Sequence, residues 1–271
     1  MKFFYLSLQK LIMNWVDFFI LVSTGISVGF INTLAGGGST ISLSILMLMG
    51  LSPALANGTN RIGIAVQNLV GVGSFKQQGV LETKKGFYLA IPATLGSILG
   101  AYIAVDLNEN VFEKAMAIVL LIMLVFILFN PQKIITEQTE LVNKALSWKQ
   151  YLLFFIIGIY GGFIHLGIGY FLLASLIMGA GYELVKANAL KVLIVLVYTP
   201  FTLIVFILND MIDYKMGFTL AIGTSIGALV ASRMAVKRGA EFVRWVIVII
   251  ILLTAAHLFG FVDFKKILLA N

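Results

Sequence analysis

Hydrophobic residues fall into eight long runs separated by short polar segments. The runs cover about 15–50, 54–75, 86–105 and 111–130 in the first half of the chain, and 151–181, 185–208, 216–236 and 242–262 in the second. Most of them are close to the ~20 residues that a helix needs to cross the hydrocarbon core of a bilayer. The pattern therefore predicts an all-α integral membrane protein.

The first run of each half is longer than the others and contains clustered glycines. Run 15–50 would make one helix of ~54 Å, too long for an ordinary crossing of a ~30 Å core and short for two complete ones. It contains Gly36, Gly37 and Gly38, and its counterpart contains Gly167 and Gly169. We expect a glycine-broken helical pair to open each half, either as a re-entrant hairpin or as two short helices.

Two sequence blocks occur twice, in the same order. GISVGFIN at position 25 returns 133 residues later as GIYGGFIH, and GFYLAI at position 86 returns 131 residues later as GFTLAI. Repeats of this size in an apolar chain are typical of transporters. They predict a tandem duplication with a first transmembrane repeat at 1–130, a polar connector at 131–149 and a second repeat at 150–271.

Equivalent loops of the two repeats carry opposite charge. Loop 76–85 is basic where its counterpart 209–215 is acidic, and loop 106–114 is acidic where 237–244 is basic. Because lysine and arginine favour the cytoplasmic side, this pattern indicates that the repeats lie in opposite orientations, with an odd number of crossings in each. The alternative is a simple eight-span topology with cytoplasmic termini, which places about as many basic residues inside.

Composition narrows the class of protein further. The chain is 60% hydrophobic and 11% charged, and its mean hydropathy of +1.03 requires a lipid bilayer as partner. Its net charge of +7 comes mostly from loop residues, which is a topology bias and not a nucleic-acid footprint. Cysteine is absent, which excludes disulfides and thiolate metal sites. The segment 1–13 has no small-residue cleavage site, so we expect it to be retained.

A cation occurs at the same place inside an apolar run of each repeat. Arg61 follows Asn57 and Asn60, and its equivalent Lys191 follows Asn188. Steps of three and four residues place each cation on one helix face with its asparagines. Buried charges in membranes usually face a cavity or a partner, so we predict an anion site. The alternative is that both side chains reach the headgroups from positions near the helix ends.

The glycine clusters supply a second candidate element for binding an anion. Where a helix restarts after a break, its free N–H groups attract an anion, and glycine lets the ligand approach the backbone. The triple glycine 36–38 is followed by Ser39 and Thr40, which could cap the second arm or donate to the ligand. For the spaced pairs Gly96/Gly100 and Gly223/Gly227 we expect close helix packing.

His165 replaces Asn32 in the duplicated block and precedes Gly167. A lone histidine is more often a satisfied interior residue, but this position makes it the best candidate for a titrating group near a substrate. All acidic residues lie at the ends of runs or in loops, so a proton relay on a buried carboxylate is not expected. Nor does the polar set form a catalytic or metal-binding constellation, and we predict neither an enzyme nor a cofactor.

Segment 25–61, with its G-x-x-x-G-F-I-N block, its triple glycine and its GLSPA sequence, resembles the first signature of the sulfite exporter (TauE/SafE) family, also called the toluene-sulfonate uptake permease family. A weaker second signature lies at 158–191, and the similarity covers almost the whole chain. The resemblance implies a two-repeat secondary carrier in a bacterial cytoplasmic membrane. Its substrates would be sulfur-containing oxyanions such as sulfite, sulfoacetate or other organosulfonates.

The family's twin motifs map onto a defined set of positions in this sequence. These are Asn32, Gly36, Gly37, Gly38 and 57–61 in the first half, and His165, Gly167, Gly169 and 188–191 in the second. The second copy departs from the first, because Gly169 is followed by Tyr170 and no asparagine stands at the position of His165. The resemblance therefore does not imply that both halves contact substrate equally.

Together these features predict alternating access around an anion site between the repeats. The family contains exporters and uptake systems, and we predict export. An anion channel, or a carrier of a different small organic anion, stays open as an alternative function. A homodimer stays open as the oligomeric state.

Overall fold

The computed structural model describes residues 14–108, 110–112, 114, 115, 118 and 146–258, and the predictions for segments 1–13, 119–145 and 259–271 lie outside this part of the chain. The described part is helical throughout, without strands. Its helices are α1 (Trp15–Leu34), α2 (Ser39–Leu48), α3 (Pro53–Gln77), α4 (Thr83–Asp106), α5 (Trp148–Phe163), α6 (Ile168–Ala174, continued by a π turn at Ser175–Gly179), α7 (Leu184–Leu208) and α8 (Tyr214–Leu258). Gly239, at φ 74° and ψ −171°, interrupts α8 between the last two apolar runs.

The helix starts follow local capping rules. Asn14 and Asp17 form a reciprocal capping box at the start of α1, and Ser147 and Gln150 form one at the start of α5. Ser52 caps α3 just before a proline in the first helical position. The equivalent helices α1 and α5 therefore begin with the same device.

Four described helices are long and apolar enough to cross a membrane. They are Trp15–Leu34, Thr83–Asp106, Leu184–Leu208 and the segment Tyr214–Val243 of α8. Large apolar side chains are exposed on their outer faces, among them Phe19, Tyr102 and Phe218. An apolar exterior of this kind is stable against lipid and not against water, which confirms a helical, multi-pass membrane protein.

Small residues bring helices of different halves into close contact. A Cβ at Gly223 or Gly227 of α8 would overlap the backbone of α1, and one at Gly96 or Gly100 of α4 would overlap the backbone of α5. The prediction that these glycines form packing faces is confirmed. In each pair of helices, residue numbers at successive contacts increase in both helices. Helix α1 therefore runs parallel to α8, and α4 runs parallel to α5.

Helices α3 and α7 cross at the centre, where they run antiparallel. Gly58 near the start of α3 lies against Phe206 near the end of α7, whereas Gly71 lies against Val192 near the start of α7. Helix α3 also runs parallel to α8, since the Thr224 hydroxyl donates to the Gly63 carbonyl at one level and Ser232 bonds Ser74 at another. The two polar repeat helices therefore face each other inside the protein.

Contacts join the helices on either side of each glycine cluster. In the second half, Gln150 at the start of α5 donates to the Gly179 carbonyl at the end of the π turn. Nearer the break, the rings of Tyr160 and Phe171 meet edge to face at 5.4 Å. In the first half, the chain returns after α1 so that Gly38 lies beside Val28. The residues between these helices, 35–38 and 164–167, are buried in the protein interior.

Candidate functional site

Arg61 is a fully buried cation in the third turn of α3, at 0% exposure. Its Nη1 donates to the carbonyl oxygen of Gly161 at 2.8 Å, and its Nη2 donates to that of Gly162 at 2.6 Å. A longer bond of 3.4 Å joins Nη1 to the Thr202 hydroxyl. The guanidinium also stacks over Phe206, with Cζ 5.1 Å from the ring centroid.

The carbonyls that Arg61 binds belong to the last turn of α5. The neighbouring Asn57 side chain donates to the next carbonyl, that of Phe163, at 2.9 Å. Final carbonyls of a helix have no partner inside the helix and carry its negative dipole end, so a cation and an amide stabilise them. Two polar residues of the first half therefore cap a helix of the second.

Lys191 makes the matching contacts in the other direction. Its ammonium donates to the carbonyl oxygens of Asn32 at 3.0 Å and Thr33 at 2.9 Å, in the last turn of α1. The third donor goes to Oδ1 of Asn188 at 2.7 Å. Lys191 is only 2% exposed, and both cations end inside the protein. The alternative that they extend to the headgroups is therefore wrong.

The two glycine breaks touch each other. Gly36 has φ 98° and Gly167 has φ 66°, conformations that favour glycine. A Cβ on Gly36 or on Gly169 would overlap the Cα of the other residue, so both must lack a side chain. The hydroxyl of Tyr170 lies against Gly37, where a Cβ would be 2.5 Å from its oxygen. The structure thus brings the predicted glycines of both halves together.

The start of α2 differs from the predicted anion-binding cap. Gly38, at the N-cap position, offers no side chain, and the Ser39 hydroxyl accepts a 3.4 Å bond from Asn32. The Thr40 and Ile41 N–H groups are engaged in the turn, with the carbonyls of residues 37 and 38. Ser39 therefore orients Asn32 and does not cap the arm that it begins.

Asn32 and His165 occupy equivalent positions and each bonds the long central helix of its own half. Nδ2 of Asn32 donates to Oε1 of Gln67 at 3.4 Å, and Nδ1 of His165 lies 3.0 Å from the Tyr198 hydroxyl. Both residues are buried. The Tyr198 hydroxyl is therefore a polar partner of the histidine in the interior, beside the region that Arg61 occupies.

Several buried polar atoms near the breaks have no hydrogen-bond partner among the described residues. They are Asn32 Oδ1, Thr33 Oγ1, Asn57 Oδ1, Asn60 Nδ2, Arg61 Nε, Tyr170 Oη and Asn188 Nδ2. Leaving such groups unpaired costs about 1–3 kcal/mol each, and most buried groups in proteins avoid it. We group these residues by the nearest cation. The arginine cluster is Asn57, Asn60 and Arg61, and the lysine cluster is Asn32, Thr33 and Asn188 together with Lys191, whose own donors are bonded; Tyr170 belongs to neither.

The buried charge of this region is positive. No aspartate or glutamate is buried among the residues that the structure describes, whereas Arg61 and Lys191 both are. Only the dipole ends of α1 and α5 offset them. The same part of the chain contains no group of histidine, cysteine and acidic residues that could hold a metal ion. The region therefore offers N–H and O–H donors beside two buried cations.

An apolar groove of about 540 Å³ between α1 and α8 lies elsewhere. Ile26, Phe30 and Val230 line it, and Ser27 is its one polar lining residue. The groove includes neither buried cation, so it does not compete with the arginine and lysine clusters as an anion site.

Sequence reasoning did not identify Thr33, Tyr170, Tyr198 or Thr202. Threonine and tyrosine are common in apolar helices, and nothing in their spacing separates these four from residues that only pack. One signal was present for Tyr170, since it breaks the glycine pattern at the position equivalent to Gly37.

The family model described as sulfite exporter TauE/SafE matches residues 21–258. Curated relatives carry transporter names. The chain is 27% identical to a probable membrane transporter protein of Haemophilus influenzae, over 88% of this chain and 93% of the relative. It is 25% identical to the probable membrane transporter protein YfcA of Escherichia coli, over 85% of each chain. No solved structure matches significantly.

Proposed function

The chain belongs to the sulfite exporter TauE/SafE family of membrane transporters, and from that premise we propose that it is a secondary carrier of a small sulfur-containing oxyanion. Sulfite and organosulfonates such as sulfoacetate are the substrates that we propose, and export is the direction. We place the protein in the cytoplasmic membrane of a bacterium, as the organisms of its relatives suggest.

The observation that carries this proposal is that two buried cations lie beside buried N–H donors that have no hydrogen-bond partner among the described residues. Among the described residues, Nε–H of Arg61 and the amide nitrogens of Asn60 and Asn188 have no hydrogen-bond partner. An isolated buried charge is expensive, and an entering anion would both neutralise it and accept these hydrogen bonds. Sulfite and sulfonate groups present several acceptor oxygens at one end, which suits converging N–H donors.

The membrane potential favours the proposed direction. An interior-negative potential drives a monovalent anion outward by ~2.3 kcal/mol per 100 mV. No buried carboxylate is available in the described part of the chain to carry a coupling proton. The potential, the protonation state of the substrate itself, or His165 would then supply the coupling.

We infer that the halves are inverted repeats. The support is helix direction, since α3 runs antiparallel to its equivalent α7. The packing pairs extend this to the other elements. Helices α1 and α3 run parallel to α8, and α5 runs parallel to α4. Gly86 at the start of α4 lies against Leu190 and Leu193 near the start of α7, so α7 begins at the same end of the bundle as α4. Every equivalent pair then has opposite directions, as two repeats related by an axis in the membrane plane would have.

We infer from the same directions that α1–α2 and α5–α6 are re-entrant hairpins that enter from opposite membrane faces. Their glycine turns meet at Gly36 and Gly169, and each last turn is capped by the other half's cation. Exchanging these caps between carbonyl and substrate would let one hairpin move against the other half. This arrangement is suited to alternating access.

Charge at the two ends of the bundle supports an orientation. One end carries Lys76, Lys84, Lys85, Lys149, Lys186, Arg233, Lys237 and Arg238, against Glu82, Glu183 and Glu241. The opposite end carries Asp17, Asp106, Asp210 and Asp213, against Lys114 and Lys215. We propose that the basic end is cytoplasmic. Lys191 then lies nearer the cytoplasm, and Arg61 lies nearer the outside.

Counterflow in proteoliposomes tests the carrier proposal. Vesicles loaded with unlabelled sulfite under anaerobic conditions should transiently accumulate external [35S]sulfite above equilibrium, and external sulfoacetate should compete. A channel would equilibrate the label without accumulation. Absence of any flux of sulfite and sulfonates, with reconstituted folded protein, would contradict the proposed substrate class.

A further inference from the structure

The polar groups between α3 and α7 lie at two depths. Arg61 contacts Thr202, whereas Gly71, ten residues further along α3, lies against Val192. Because a helix rises ~1.5 Å per residue, Lys191 is displaced from Arg61 by ~15 Å along the helix axis. The two cations are therefore separated across the interior of the protein.

The two side chains also point away from each other. Long side chains on a helix lean toward its N-terminus, and α3 and α7 run in opposite directions. The Lys191 ammonium accordingly reaches back to Asn188, and Arg61 reaches the end of α5 beside the carbonyl that Asn57 contacts. Since a hydrogen bond spans only ~2.9 Å, one small oxyanion cannot bind both cations at once.

Each cluster contains hydrogen-bond donors that have no partner among the described residues. In the arginine cluster these are Nε of Arg61 and Nδ2 of Asn60, which is 1% exposed. In the lysine cluster they are Nδ2 of Asn188, at 0% exposure, and the hydroxyl of Thr33, at 1%. Both sets are nearly inaccessible and adjacent to a buried cation, and neither has a hydrogen-bond partner in the part of the chain that the structure describes. Between them the backbones of Gly36 and Gly169 touch.

We propose that the chain binds two small oxyanions, one in the arginine cluster and one in the lysine cluster, and that a transported anion occupies these positions in succession. This inference rests on the proposed function, and it adds a second site and an order of passage. With the basic end cytoplasmic, an exported anion meets the lysine cluster first and the arginine cluster second.

We expect the two positions to differ in their affinity for the anion. An ammonium has three N–H donors, and all three of Lys191 donate to protein oxygens. Arg61 keeps Nε–H for direct contact with the anion. The arginine position is therefore the tighter one in this conformation, and the lysine position relies on Asn188, Thr33 and the charge nearby.

Equilibrium dialysis of the full chain in lipid nanodiscs tests the proposal, with sodium [35S]sulfite as probe and sodium sulfate as competitor. Wild-type protein should bind two sulfites per chain with unequal affinity. Arg61→Gln should lose the tighter and keep the weaker, whereas Lys191→Gln should do the opposite. The double variant should bind none.

Because both cations also cap helices, a second pair of variants removes donors that have no structural partner. Asn60→Leu replaces an unsatisfied amide, and Thr33→Val removes an unsatisfied hydroxyl at nearly constant volume, so neither should disturb folding. Each should weaken one position about tenfold or more and leave the other unchanged. If a glutamine variant does not fold, this pair decides the question.

The outcomes separate the two proposals. One sulfite per folded wild-type chain, or equal weakening of all binding by Asn60→Leu and Thr33→Val alike, overturns the two-position inference while leaving the carrier intact. No sulfite binding by folded wild-type protein, together with no counterflow, contradicts the proposed function itself.

Discussion

Lys191 of the second half donates its ammonium to the carbonyl oxygen of Thr33 in the first half, at 2.9 Å. The relationship is reciprocal, since Arg61 of the first half donates to Gly162 of the second. Each cation closes the last turn of the other half's first helix. Arg61 and Lys191 thus each stabilise the end of a helix. Donors without a hydrogen-bond partner among the described residues lie on residues beside them.

The contact between the two glycine breaks should not tolerate a side chain. Gly169→Ala places a methyl group 2.3 Å from the Cα of Gly36, so the two backbone segments must separate. Overpacking of this kind costs about 1–3 kcal/mol or more. We expect a lower melting temperature in detergent and loss of transport. Gly73→Ala is the matched control, because nothing lies within 4 Å of its added Cβ. Equal melting temperatures for the two variants would contradict the close contact.

The hydroxyl of Tyr170 should matter for transport and not for folding. It is buried beside Gly37 without a hydrogen-bond partner among the described residues. Tyr170→Phe removes only that oxygen, so we expect an unchanged melting temperature and a rise in the sulfite concentration that gives half-maximal flux. An unchanged flux curve would exclude contact between this hydroxyl and the anion. Tyr102→Phe, on an exposed tyrosine, is the control.

His165 should affect the pH dependence of transport more than its maximal rate. Its ring nitrogen lies 3.0 Å from the Tyr198 hydroxyl, and Arg61 is the cation nearby. Histidine is the side chain that titrates in the physiological range. We expect His165→Gln and Tyr198→Phe to flatten the dependence of sulfite flux on pH. Identical profiles for wild type and both variants would remove the histidine from the mechanism.

Inversion of the halves predicts that equivalent loops face opposite sides of the membrane. The chain has no cysteine, so single cysteines can be introduced without further changes. Lys84→Cys reports on the loop between α3 and α4, and Asn209→Cys reports on the equivalent loop between α7 and α8. An impermeant maleimide applied to intact cells should label Asn209→Cys alone. Labelling of both, or of neither, would contradict inversion, provided that permeabilised cells label both.

Part of this architecture was readable from the sequence because the recurring sequence blocks show each important feature twice. Arg61 and Lys191 stand out as charges in apolar runs, and Gly36 and Gly167 interrupt runs that are too long for one crossing. The helical membrane class and the family follow from the same features and are confirmed.

The partners of the cations could not be predicted. They are backbone carbonyls, which every residue has, and they lie about a hundred residues or more away, as with Arg61 and Gly161. For the same reason the role of Ser39 as a partner of Asn32 was not foreseen. Hydrophobic periodicity shows which face of a helix is buried, but it does not show which backbone end packs against that face.

The central claim is that the buried cations handle a sulfur oxyanion, and [35S]sulfite flux in proteoliposomes containing Arg61→Gln or Lys191→Gln tests it most directly. Arg233→Ala and Lys84→Ala, on exposed residues, are the matched controls. We expect each glutamine variant to lose at least about tenfold in flux at equal amounts of folded protein, as loss of a charged hydrogen-bond donor predicts, while the controls transport at the wild-type rate. Wild-type flux in both glutamine variants would contradict the account.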